Sequence, residues 1–176
     1  MQAKPMPYVL GTCLVAVMAA TGSSHSSSFE ARTSGAQVLE LRGSAEFGEV
    51  QEAGGSGAFV LTLGAESANG AVVFTWPMGT RPQPGAYSIS EDMAGLRGLV
   101  LTGPVSAPTG AYRAQAGTLT ITRSREGLLQ GRFDLNAAGF EAANPMDEER
   151  PLEVRGQFTA DPASAHQTRT LSVGER

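Results

Sequence analysis

The chain has 176 residues, of which 41% are apolar, 17% charged and only 6% aromatic, and its formal net charge is −4. That length predicts one domain with tails, and 22 glycines with 10 prolines suit strands cut by turns. The acidic balance argues against nucleic acid as a partner, and no apolar run reaches the roughly 18 residues of a spanning helix.

At the amino end, Lys4 precedes an apolar stretch from Tyr8 to Ala20, which gives way to small polar residues from Thr21 to Ser28. This is the layout of a secretory signal peptide. It predicts a signal helix over residues 1–22, cleavage near Gly22, and an exported product, periplasmic or extracellular. The alternative, an amphipathic or core helix, lacks a polar face at helical spacing. Leu10-Gly11-Thr12-Cys13 partly matches a bacterial lipobox, which would attach a lipid to Cys13. However, Thr12 is larger than the usual Gly or Ala, and the longer apolar run, Leu14 to Ala20, follows the cysteine. An incidental signal-peptide cysteine is the better reading. The cleaved chain then has no cysteine, so apolar burial has to stabilise it without disulfides.

Residues 23–36 are rich in Ser, Thr and Gly and read as a flexible tether. Over residues 37–160 the apolar period is two, which marks a β domain. Val38 to Arg42 alternates, and Ala45 to Val50 continues it after a kink at Gly43. Past a glycine-rich loop, Glu52 to Gly57, the next strand places Phe59, Leu61 and Leu63 on one face. Ala71 to Trp76 follows, with Phe74 and Trp76 on one face, and Pro77 stops it. Arg81-Pro-Gln-Pro-Gly85 is stiff and irregular; Tyr87 and Ile89 then point inward from Ala86 to Ser90. Leu96 to Thr102 carries Leu99 and Leu101 on one face.

The strongest local signal is a hairpin. Thr118 to Arg123 points Leu119 and Ile121 to one side, and Leu128 to Asn136 returns with Leu129, Phe133 and Leu135 inward. Gly127 in the connection is able to take positive φ. A last strand aligns Leu152, Val154 and Phe158, and residues 161–176 read as a disordered tail. About eight short strands without a good amphipathic helix predict an all-β fold, a single antiparallel β-barrel or β-sandwich. The segments Gly117-Thr-Leu-Thr-Ile-Thr, Gly131-Arg-Phe and Gly156-Gln-Phe resemble hairpins of uncharacterised exported bacterial β proteins. That resemblance implies fold and destination, and no activity.

Chemistry is narrowed mainly by histidine. His25 falls in the tether and His166 in the tail, so the predicted domain has no imidazole for a zinc site or a Ser-His-Asp triad. Gly54-Gly-Ser-Gly57 lacks the lysine and the helix of a phosphate loop. Asp147, Glu148 and Glu149 concentrate oxygen ligands suited to Ca²⁺, but their spacing lacks a calcium-loop pattern and a solvated acidic loop is preferred. Acids such as Glu40 and Asp134 alternate outward with arginines, and nothing selects a pair for glycoside hydrolysis. The best candidate binding feature is Phe74 and Trp76 at a strand end, with Arg81 and Tyr87 close by in sequence. The expectation is an exported cell-envelope protein, not an enzyme, that acts by binding or structural interaction. Its partner would be another envelope component or a small apolar ligand. A barrel carrying an apolar ligand is the first alternative, and a carboxylate-based hydrolase the second.

Overall fold

The computed structural model describes residues 27–51, 57–65, 70–77, 79–91, 94–104, 106–143 and 149–163. The predicted signal helix, Cys13 and both histidines lie outside them. Nine strands follow in order: β1 (Ser28–Gly35), β2 (Glu40–Gln51), β3 (Gly57–Ala65), β4 (Gly70–Trp76), β5 (Gly85–Ser90), β6 (Arg97–Thr102), β7 (Gly110–Arg125), β8 (Leu128–Glu141) and β9 (Arg150–Pro162). Eight of them make a closed antiparallel meander, β1-β2-β3-β4-β6-β7-β8-β9, with β9 returning to β1. Closure removes the edges that a sandwich would leave and decides between the two predicted architectures. β5 stands apart, laddered to the lower part of β7, below β6, and joined to the residue before β6 by a single parallel bridge between Ile89 and Leu96.

Residues 28–35, read above as tether, form a barrel strand instead. Phe29, Ala31 and Thr33 point inward and are buried, whereas Ser28, Glu30, Arg32 and Ser34 point out. Only one large apolar residue marks the inner face, which is why composition alone resembles a linker. Thr33 is held at the turn into β2: its hydroxyl donates to the Gln37 carbonyl and accepts from the Leu39 N–H, each at 2.8 Å. The carboxy-terminal boundary also moves. β9 runs to Pro162, where Asp161 and Pro162 pair in parallel with Glu46 and Phe47 of β2, just beyond the start of β1.

β7 begins at Gly110, earlier than its clean alternation suggests, because bulges interrupt its phase. An extra residue at Gln115 shifts the inward set from Tyr112 and Ala114 to Leu119 and Ile121. The same bulge marks where β7 passes from its β6 partner to its β5 partner. Another at Thr122 shifts the phase again. In the β7–β8 hairpin, the Gly127 N–H donates to the Arg125 carbonyl at 3.1 Å. Gly127 is not among the residues with positive φ, contrary to expectation; the tight turn around Glu126 does not require it.

Eight strands enclose an interior that side chains can fill. Here Leu41, Leu61, Leu63, Val72, Phe74, Leu119, Leu135 and Val154 fill it, all fully buried. Leu99 and Leu101 do share a face, but it is the outer one; Val100 supplies the core contact from β6. The two Gly-x-Phe segments acquire a physical meaning from the pairing of β8 with β9. Phe133 lies opposite Gly156, and Phe158 lies opposite Gly131. A Cβ on Gly156 would stand 2.6 Å from Phe133 Cζ, and one on Gly131 2.9 Å from Phe158 Cζ. Each strand thus gives up a side chain to seat the other's ring. Outside, mid-strand charges such as Arg32, Arg42, Arg132, Asp134 and Arg155 give this wall a surface suited to water rather than lipid.

Candidate functional site

At the end of the barrel where β2, β4, β7 and β9 finish, inward side chains from four strands build a continuous aromatic run. Phe47 of β2 stacks on Phe59 of β3, with ring centroids 5.7 Å apart at 25°. Phe59 meets Trp76 of β4 edge-on at 5.6 Å, and Trp76 meets Tyr87 of β5 edge-on at 6.1 Å. Backbone pairing explains only part of this. Phe59 and Trp76 are register partners in β3 and β4, but no ladder joins β4 to β5 among the described residues. The Trp76–Tyr87 contact therefore closes a seam that hydrogen bonds leave open.

The loop between β4 and β5 lies across this end. Its prolines, Pro77, Pro82 and Pro84, limit its backbone freedom, and Gly79, at φ 63°, lets it pass against Gly57, where a Cβ would come within 3.1 Å of the Gly57 carbonyl oxygen. The Tyr87 hydroxyl donates to the Gln83 carbonyl at 2.6 Å and ties the loop to β5. Arg81 reaches back over the barrel mouth, its guanidinium carbon 4.6 Å from the centre of the Phe47 ring. Such a cation–π contact contributes roughly 0.5–2 kcal/mol, depending on solvation. Trp76 is only 8% exposed, and its buried indole N–H has no acceptor among the described residues. An unsatisfied buried donor of this kind costs on the order of 1–3 kcal/mol.

Of the four residues singled out from sequence, Trp76, Arg81 and Tyr87 are brought together here. Phe74 is not. One strand repeat of two residues sets it roughly 6–7 Å further along β4, where it is fully buried and packs edge-on against Phe133 at 5.3 Å. Phe47 and Phe59 complete the mouth and were not foreseen. Both alternate inward like any core residue, and only closure of the barrel shows that they end beside Trp76.

A separate concavity of about 1030 Å³ lies on the outer wall across β7, β8, β9, β1 and β2. Its charges are largely matched in place: Arg155 pairs with Asp134 at 3.0 Å and Arg32 with Glu40 at 3.1 Å, while Gln157 donates to Glu30 at 2.6 Å. These side chains are mostly exposed, so the pairs contribute little to stability. The acid whose carboxyl is pushed above the usual 4.5 is Glu46, by burial first and by the Asp161 carboxylate second. Neither lines the outer concavity. At the opposite end of the barrel, burial and then the neighbouring Glu141 raise the Tyr112 hydroxyl above its usual range.

Of the acidic trio proposed for Ca²⁺, Asp147 and Glu148 lie outside the described residues, and Glu149 is exposed. Among the described residues, no cluster of three or more His, Cys, Asp or Glu side chains converges on a metal position. No described helix is long and apolar enough to cross a membrane. No family model, curated protein or solved structure matches the chain.

Proposed function

We propose that this is an exported cell-envelope protein that works by non-catalytic binding, and that the loop-covered aromatic mouth is its binding end. The observation that carries this reading is the β4–β5 seam, where the Trp76 and Tyr87 rings, rather than backbone hydrogen bonds, complete the wall. No ladder spans this seam, so opening it breaks side-chain packing and the Ile89–Leu96 bridge, whereas the eight junctions of the closed meander would each have to break a ladder. The chemistry of the mouth also suits binding. It offers aromatic faces, one guanidinium and one indole N–H, with a single acid, Glu49, set beside Phe59 in register and two residues beyond Phe47. Export is supported by the signal-like residues 1–22. β1 begins at Ser28, so cleavage near Gly22 would leave the barrel whole.

A carrier of an apolar ligand inside the barrel fits less well, because bulky residues including Phe74, Phe133, Leu61 and Leu135 already occupy the interior. Native mass spectrometry of protein recovered from a bacterial periplasm tests the proposal. The expected species is a chain that begins near Ser23 and carries a small non-covalent adduct, with the adduct diminished in Tyr87→Ala. A bare chain retaining residues 1–22 in the cytoplasm would overturn it.

A further inference from the structure

We infer that the mouth takes an amphiphilic anion, an apolar body bearing a single carboxylate. This rests on the mouth being the binding end and adds the chemistry of its ligand. Among the described residues, two hydrogen-bond donors there have no protein acceptor. Trp76 is buried with an unpartnered indole N–H, and Arg81 lies on the face of Phe47 and forms no ion pair among the described residues. What distinguishes Arg81 is its position over an aromatic ring at the barrel mouth, beside the buried Trp76 run.

Donors without acceptors select a ligand that accepts. One guanidinium matches one negative charge, and its planar fork fits the two oxygens of a carboxylate better than it fits a lone hydroxyl. The surrounding rings of Phe47, Phe59, Trp76 and Tyr87 ask the rest of the ligand to be apolar. A carboxylate displaces Arg81 from the Phe47 ring by forming charge-assisted hydrogen bonds, and the apolar body then lies against the freed aromatic face.

Trp76 is the sole tryptophan of the chain, so its emission reports on this site alone. Full-length protein is titrated with decanoate and with decanol, both below the concentrations at which they aggregate. Decanoate is expected to give a saturable change in emission at a concentration roughly tenfold lower than decanol, the ratio expected for one charge-assisted hydrogen bond. Arg81→Gln should abolish that preference, whereas Arg81→Lys, which keeps the charge but not the planar fork, should retain only part of it. Equal responses to both ligands, unaltered by Arg81→Gln, overturn the carboxylate and leave the mouth as a binding end. No saturable response to either ligand overturns both.

Discussion

Gly156→Ala is expected to be among the most damaging single-methyl additions in the barrel. The new Cβ would lie 2.6 Å from the Glu30 carbonyl oxygen, 2.6 Å from Phe133 Cζ and 2.7 Å from Ala31 Cβ. Three approaches under 3.0 Å, two of them to β1, cannot be relieved by one rotamer change. The cost belongs at the top of the overpacking range, about 3 kcal/mol. For a domain of this size that corresponds to a fall of roughly 10 °C in Tm. Phe133→Leu alone should cost about 1 kcal/mol, since a large apolar side chain remains. If the Phe133 ring is a principal obstacle, the double variant recovers roughly 1 kcal/mol against the sum, because only the contacts to β1 persist. Combining Gly156→Ala with Phe158→Leu should show no such recovery, as Phe158 lies over Gly131. Urea unfolding followed by circular dichroism reads all six proteins: the wild type, the three single variants and the two doubles. Strict additivity in the Phe133 pair would refute the reciprocal seating of the two rings.

Gly127→Ala makes a contrast: nothing lies within 4 Å of its added Cβ and its φ is not positive. It should be neutral or stabilise by up to about 1 kcal/mol through the unfolded chain, and a loss above that size in the same urea assay would contradict the turn described. Glu46→Gln should raise Tm at pH 7 and leave it unchanged near pH 3.5. The raised Glu46 carboxyl means that the folded protein holds this proton more tightly than the unfolded chain, so the wild type loses stability as pH rises from about 4.5 through the folded value. The same Tm difference at both pH values would show that the effect is not ionic. Tyr87→Phe removes the 2.6 Å bond to Gln83. It should cost about 1 kcal/mol and speed hydrogen exchange at loop amides from Gly79 to Gln83; unchanged exchange would mean that the hydroxyl does not tether the loop.

Period-two patterning reveals those strands whose phase is uninterrupted. In β8 and β9 the inward sets Leu129, Phe133, Leu135 and Leu152, Val154, Phe158 are legible because each alternation persists across the barrel height. β7 hides its upper half because the bulge at Gln115 changes which parity faces inward, making Tyr112 and Ala114 look out of phase with Leu119. β1 hides because Phe29 is the only large apolar residue on its inner face, and the buried Ala31 and Thr33 carry little apolar signal. The paired Gly-x-Phe segments are visible as a repetition, yet their reason is a cross-strand register that no local window contains. The mouth was half legible. Proline stops β4 at Trp76 and keeps Arg81 and Tyr87 nearby along the chain, whereas Phe47 and Phe59 arrive through strand neighbours set by closure.

Amide chemical-shift mapping of the ¹⁵N-labelled protein with decanoate puts the central claim to the most direct test. The largest shifts should gather on Phe47, Phe59 and Trp76 and along Gly79 to Ser88. Shifts centred on Leu41, Leu63 and Leu135 would place the ligand inside the barrel, and shifts centred on Arg32, Arg132 and Arg155 would place it in the outer concavity. Either result would contradict binding at the aromatic mouth.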